Sequence, residues 1–210
     1  MFTGLVQAMG RVAGVERRGA GVRLLIDPLA WDHVPEAGES ICVSGCCLTV
    51  VGVGEGGTLA FDVIPETLEK TTIGAWREGG GVNLEHACRA DTLLGGHLVQ
   101  GHVDGVGEVV GVETRDGHRV RVRLGGELMA YLVPKGSVCV DGVSLTLASV
   151  APGDACFEVA LIPETLERTT LKGLATGDRV NVECDQVAKT IVHTMRHFMQ
   201  ERPHMGGSPG

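Results

Sequence analysis

From Arg119 to Leu124 the chain alternates strictly, with Val120, Val122 and Leu124 on one side and Arg119, Arg121 and Arg123 on the other. A period of two marks an antiparallel strand with one face buried and one in water. Short runs of this kind, separated by glycine turns, recur along the chain and predict many short strands. Small closed barrels are the expected arrangement, because closure leaves no strand edge exposed. Two helical signals interrupt the pattern. Pro65-Glu66-Thr67-Leu68-Glu69 predicts a short helix with proline in its first turn and acidic residues at the positive end of the dipole, and the segment from Pro163 repeats it. Near the end, Asp185 is a suitable N-cap for a helix reaching Arg202, with Val187, Ile191, Met195 and Phe198 forming one apolar stripe. Residues 203–210 are expected to be disordered.

The two halves match each other at an offset of 97 to 98 residues. Ile64 to Thr72 and Ile162 to Thr170 are identical at eight of nine positions. Ser40 to Val50 falls over Ser137 to Leu147, Val82-Asn83-Leu84-Glu85 over Val180-Asn181-Val182-Glu183, and Gly4-Leu5-Val6 over Gly101-His102-Val103. The expected organisation is two barrels, residues 1–97 and 98–188, followed by a helix over 185–202 that has no counterpart in the first half. Such a helix, added to two complete barrels, has no core of its own to fill, so its stripe is expected to meet copies of itself in an oligomer rather than its own barrel.

Composition narrows the chemistry. Of 210 residues, 32 are glycine and only seven aromatic, which argues against a helical bundle. Residues 1–97 carry 7 basic against 12 acidic side chains and residues 98–210 carry 11 against 14, so neither half offers a basic stripe for nucleic acid or an evident phosphate site. An uncharged small molecule is the easier substrate. Seven cysteines without CxxC spacing, no cationic leader and no apolar run of roughly 18 residues point to reduced thiols in the cytoplasm and to no membrane span. Gly52-Val53-Gly54-Glu55-Gly56-Gly57 satisfies a dinucleotide fingerprint, but a strand pattern follows it where a helix is needed, so it is expected to be a hairpin turn. His97 and His102 lack partners at ligand spacing, and His193 and His197 lack the intervening glutamate of a zinc motif, so no metal is expected.

What remains is a pair of turn-and-strand elements, Gly45-Cys46-Cys47-Leu48-Thr49 and Gly142-Val143-Ser144-Leu145-Thr146. In each, a thiol or hydroxyl and a threonine two residues on share a strand face. Gly4-Leu5-Val6 with Asp62-Val63-Ile64-Pro65-Glu66-Thr67, and Gly101-His102-Val103 with Ala160-Leu161-Ile162-Pro163-Glu164-Thr165, would add the N–H and C=O groups that a planar heterocycle with amide edges requires. Two equivalent pockets per chain follow. They differ where Leu5 becomes His102, Ser44 becomes Asp141 and Cys47 becomes Ser144, which gives the second half the proton-transfer groups. His102, Ser144 and Thr146 are therefore expected to handle protons together, imidazole being the side chain that ordinarily titrates near neutrality.

Met1-Phe2-Thr3-Gly4, Gly45-Cys46-Cys47-Leu48-Thr49, Gly95-Gly96-His97-Leu98-Val99-Gln100-Gly101-His102-Val103-Asp104-Gly105, Asp141-Gly142-Val143-Ser144-Leu145-Thr146 and Ile162-Pro163-Glu164-Thr165-Leu166-Glu167-Arg168-Thr169-Thr170 together resemble the riboflavin synthase alpha-chain family, from residue 1 to about 200. The resemblance implies an all-β fold of tandem six-stranded Greek-key barrels with a C-terminal helix that gathers three chains, one lumazine per barrel, and a productive pair formed between neighbouring chains. It implies dismutation of two 6,7-dimethyl-8-ribityllumazine molecules to riboflavin and 5-amino-6-ribitylamino-uracil without metal or added cofactor, and it leaves room for association with lumazine synthase. Asp185 and Lys135 enter the second site on the same ground, and Cys47 and Thr49 line the first, Cys47 as a nucleophile or as part of the pocket wall. Two other classes compete: a lumazine or flavin carrier with one site degraded, and a flavin-dependent reductase module, for which Tyr131 stands in the wrong context.

Overall fold

The computed structural model describes residues 1–200. The first repeat supplies β1 (Ala8–Arg18), β2 (Gly21–Asp27), β3 (Ser40–Val43), β4 (Cys46–Val53), β5 (Leu59–Val63) and β6 (Gly81–His86), with the short helix α1 (Pro65–Lys70) between the last two. The second repeats the order with β7 (Gly105–Glu113), β8 (His118–Arg123), β9 (Ser137–Val140), β10 (Val143–Ala151), β11 (Cys156–Leu161), α2 (Pro163–Arg168) and β12 (Arg179–Cys184). Each set closes into an antiparallel barrel, ordered β1-β2-β5-β4-β3-β6 and, equivalently, β7-β8-β11-β10-β9-β12. Strands β3, β4 and β5 form a meander and β6 returns beside β3, which is the Greek-key order. Register shifts fall at matched places, Val12/Gly14 with Val109/Gly111 and Val50/Gly52 with Leu147/Ser149, where a small barrel has to bend its strands.

Alternation does what the pattern predicts. Val120 and Val122 of β8 fill the second core with Leu147, Phe157 and Val180, while Arg119, Arg121 and Arg123 pair outside with Glu158, Asp154 and Glu108. Water screens these exposed pairs and they add little, so burial of the apolar face decides the strand. The glycine run at Gly52–Gly57 ends β4 and forms the hairpin connection to β5, with Gly52 and Val53 still in the ladder and the turn beginning at Gly54.

The barrels join about a pseudo-twofold axis. Asn83 of β6 donates from Nδ2 to the Asp141 carbonyl (2.8 Å) and accepts the Thr170 N–H at Oδ1 (2.8 Å). Asn181 of β12 returns both bonds, to the Ser44 carbonyl (2.8 Å) and from the Thr72 N–H (2.7 Å). Gly45 and Gly142 meet backbone to backbone, where a Cβ on either would lie 2.8–2.9 Å from the other's nitrogen. A small third core of Phe2, Cys42, Val99 and Cys139 seals the junction.

Helix α3 (Gln186–Gln200) follows β12. Its Val187, Ile191, Met195, Phe198 and Met199 are 53–74% exposed, so the stripe is not spent on the chain's own barrels. Contact with the second repeat is made by Arg196, whose guanidinium lies 5.8 Å from the centre of the Tyr131 ring, and by Lys189, which reaches the Asp104 carboxylate. Arg202, where the helix was expected to end, and the tail at 203–210 lie outside the described residues.

Candidate functional site

Two segments leading into the barrels cross over. Phe2 and Val99 form an antiparallel bridge (2.7 and 3.1 Å), and beyond it each chain segment passes to the opposite barrel. The Gly4 carbonyl accepts the N–H of Ser144 on β10 (2.8 Å), and the Gly101 carbonyl accepts the N–H of Cys47 on β4 (2.8 Å). Both glycines have positive φ (72° and 78°), and a Cβ would lie 2.7 Å from the Ser144 Cβ or 2.6 Å from the Cys47 Cβ. Glycine is needed here both for conformation and for space. Two residues further, Val6 packs on the core of the second barrel and Val103 on the core of the first.

This arrangement corrects the grouping read from the repeats. Gly4-Leu5-Val6 serves the strand of Ser144, not that of Asp62 to Thr67, and Gly101-His102-Val103 serves the strand of Cys47, not that of Ala160 to Thr165. It also places His102 on the Cys47 side within one chain, away from the Ser144 and Thr146 with which it was grouped.

Two buried glutamates hold the crossing segments. Glu85 of β6 accepts the Thr3 N–H (2.6 Å), the Thr3 hydroxyl (2.7 Å) and the Gly4 N–H (3.0 Å). Glu183 of β12 accepts the N–H groups of Gln100, Gly101 and His102 (2.7, 2.8 and 2.9 Å). Burial pushes both carboxyls above the usual range, and the bonds from the segments oppose it.

On β4, Cys46 and Leu48 point into the core while Cys47 and Thr49 face outward; on β10, Val143 and Leu145 point in while Ser144 and Thr146 face outward. Leu48 and Leu145, expected to line the pockets, therefore offer only their backbone, and the same holds for the buried Val63 and Leu161. On the neighbouring strands β5 and β11, Asp62 and Ala160 are exposed, as are Ile64 and Ile162, which stand just before α1 and α2. Apolar Ile64 and Ile162 beside outward polar groups suit a flat ring with polar edges. Arg23 grips the Asp62 carboxylate at 2.6 and 2.9 Å and holds it below its ordinary pKa. Pro65, Glu66 and Thr67 open α1, and Pro163, Glu164 and Thr165 open α2, where Glu164 pairs with Arg168.

Sequence reasoning missed His97 as part of the Ser144 site. Its Nδ1 lies 2.7 Å from the Ser144 Oγ, and its buried Nε2 has no hydrogen-bond partner among the described residues. Burial pulls the imidazole below its ordinary pKa, opposed by the charge of Asp185. Gly96 allows this approach, since a Cβ there would lie 2.1 Å from the Thr3 carbonyl oxygen and 2.9 Å from the Ser144 Cβ. The signal was the glycine pair before His97, which tells of a backbone pressed against something. Asp185 caps α3, accepting the N–H groups of Val187 (2.7 Å) and Ala188 (3.3 Å). Lys135 is exposed in a turn, its N–H bonded to the Leu147 carbonyl at 2.9 Å, with φ of 67°. A cleft of about 410 Å³ opens between Leu5, Val6 and Arg168. Each barrel thus presents an outward polar face under a segment from the other repeat, Cys47 and Thr49 with His102 in one, Ser144 and Thr146 with Leu5 and His97 in the other.

Comparison with known proteins matches the duplicated architecture. The lumazine binding domain family matches residues 3–87 and again 100–185. The riboflavin synthase of Mycobacterium tuberculosis strain H37Rv is 44% identical over 198 residues, covering 93% of this chain and 98% of that protein. That of Escherichia coli strain K12 is 37% identical over 216 residues, covering 100% and 99%. The crystal structure of LumP complexed with 6,7-dimethyl-8-(1'-D-ribityl) lumazine matches with a TM-score of 0.77 at 26% identity, over 88% of this chain and 99% of LumP. Duplicated match, full-length relatives and paired barrels agree, and the chain belongs to the riboflavin synthase family of lumazine-binding proteins.

Proposed function

We infer that the chain catalyses the dismutation of two 6,7-dimethyl-8-ribityllumazine molecules, one giving a four-carbon unit to the other, to yield riboflavin and 5-amino-6-ribitylamino-uracil. The observation that carries the site assignment is the pair of outward faces with unlike polar groups, Cys47 and Thr49 in one barrel and Ser144 and Thr146 in the other. Related faces hold two copies of one substrate in related orientations, and much of the rate is expected from that positioning. Unlike groups let one lumazine donate while the other accepts. Ser144, hydrogen-bonded to His97, is the group placed to move a proton at a lumazine methyl. Burial favours the neutral imidazole of His97, the form that can act as the base behind that hydroxyl.

His102 sits on the Cys47 side, so bringing it to the substrate held at Ser144 requires the first barrel of one chain to face the second barrel of another. The exposed stripe of α3 supports a homotrimer in which such facing occurs. Asp185 at the start of α3 and Lys135 from its turn complete the Ser144 face. The chain works in the cytoplasm, which accords with seven free thiols and no disulfide. The described residues contain no helix long and apolar enough to cross a membrane.

The test is to incubate the protein with 6,7-dimethyl-8-ribityllumazine alone and follow riboflavin absorbance. Riboflavin and the uracil product in equal amounts are expected. Tight binding with no product would instead make the chain a chromophore carrier.

A further inference from the structure

The two repeats serve as each other's control at the point where β1 and β7 begin. In the first repeat, Gln7 donates its N–H to the Leu84 carbonyl (2.9 Å), and its side-chain Oε1 accepts the N–H of His86 (3.0 Å). In the second, Asp104 makes the same two bonds, to the Val182 carbonyl (2.9 Å) and from the N–H of Cys184 (2.7 Å). An amide suffices for this task in the first repeat. The carboxylate of the second has an additional partner, because Lys189 Nζ lies 3.0 Å from each of its oxygens. Lys189 is one turn into α3, its N–H bonded to the carbonyl of Asp185 (3.0 Å), and no helix follows β6. The charge is present only in the repeat that carries the helix.

The pair is half-buried, with side chains 18% and 19% exposed, so water screens it less than the surface pairs on β8. Asp104 ends the segment that brings Gly101 and His102 over Cys47, and Lys189 also lies near enough to favour ionised Glu183, which grips the N–H groups of Gln100, Gly101 and His102. Helix and segment are thereby fastened at both ends of one short stretch of chain.

We propose that the Asp104–Lys189 ion pair is a positioning device that ties α3 to the segment bearing His102, so that the helix that gathers the chains also sets the first barrel's site. Asp104 and Lys189 are positioning residues and touch no substrate. The inference rests on the reading of α3 as the assembly helix and of Cys47 and His102 as one site.

Four variants test it: Lys189→Met, Lys189→Arg, Asp104→Asn, and the double variant Asp104→Asn with Lys189→Gln. Asn at 104 keeps an oxygen for the Cys184 N–H, as Gln7 does for His86. Each is assayed with 6,7-dimethyl-8-ribityllumazine and sedimented at the assay concentration. Lys189→Met and Asp104→Asn are expected to keep the wild-type sedimentation coefficient and KM within about twofold while kcat falls about tenfold, as for a misplaced but intact site. Lys189→Arg is expected to retain most of kcat, and the double variant, whose two amides can bond to each other, to recover part of the loss. Unchanged kcat in both single variants overturns the proposal, as does a loss that vanishes at higher protein concentration, which would leave Lys189 a role in assembly alone. A wild-type protein that sediments as a monomer, with kcat still reduced in the single variants, refutes the assembly reading and leaves the tie itself standing.

Discussion

Asp141 gives the sharpest test of how the barrels are joined. Its counterpart Ser44 accepts the Asn83 N–H at 3.1 Å, and Asp141 accepts the Asn181 N–H at 2.7 Å, both from turns with positive φ. Asp141 borders a groove of about 370 Å³ between the barrels, shared with Asp178 and Arg179, away from the Ser144 face. Burial raises its carboxyl from 3.8 to about 7, the Asn181 N–H pulls it back and the charge of Asp178 pushes it further up. A carboxyl whose folded pKa exceeds its unfolded one stabilises the fold while protonated, and that stability is lost as pH rises from 3.8 through about 7. At about 1.4 kcal/mol per unit, the share lost between about pH 5 and about pH 8 is about 3 kcal/mol. Asp141→Asn keeps the oxygen for Asn181 and suits the left-handed backbone, so it removes the titration and little else. Urea unfolding of both proteins at the two pH values is the assay. The variant is expected to match or exceed the wild type at the higher pH and to lose about 3 kcal/mol less between the two. Glu85 and Glu183, also raised, leave a smaller fall of the same sign in the variant. A destabilisation that is equal at both pH values would refute the reasoning.

Further consequences follow from the crossing and from α3. Gly101→Ala forces a Cβ to 2.6 Å from Cys47 at positive φ and is expected to cost about 2 kcal/mol or more in urea unfolding and most of the activity, whereas Gly38→Ala, with nothing within 4 Å, costs about 1–2 kcal/mol and no activity. Ser144→Ala and His97→Ala are expected to lower kcat about 100-fold or more with lumazine affinity, read by fluorescence titration, within a few-fold; equal losses in both would remove the pair from proton transfer. Ile191→Glu puts a charge in the exposed stripe of α3, and under the proposed trimer sedimentation should show smaller species with activity lost in proportion; unchanged sedimentation would refute that role of the stripe.

The parts of the fold legible in sequence were those set by local pattern. Period two on β8, the repeat of Pro65 and Pro163, and the stripe on α3 each depend on neighbours a few residues away. β6 and β12 escaped that logic. Val82, Asn83, Leu84 and Glu85 are all buried, as are Val180 to Glu183, because one face of each strand lies in its barrel and the other lies in the junction. Alternation would have put Asn83, Glu85, Asn181 and Glu183 in water, and the structure gives them the crossing segments and the partner barrel instead. His97 was hidden for a related reason: its partner Ser144 is 47 residues away, and no spacing rule reaches that far.

The crossing also changes what the duplication means. Aligning Gly4 with Gly101 shows that the two residues do the same work but not for which barrel, since a self-comparison is blind to exchange. In the structure Gly4 closes on Ser144 and Gly101 on Cys47, so neither barrel finishes its own outward face. Each site is a hybrid, with its strand from one repeat and its covering segment from the other. A substitution in either segment therefore alters the partner's site while leaving its own strand untouched, and the two faces can diverge without either fold being disturbed. Leu5 on the segment over Ser144 and His102 on the segment over Cys47 are the result: the histidine belongs to the segment that covers the thiol, and the hydroxyl is bonded by His97 from the linker. In the proposed reaction two like substrates would meet two unlike surfaces, which is the asymmetry that a transfer between identical molecules needs.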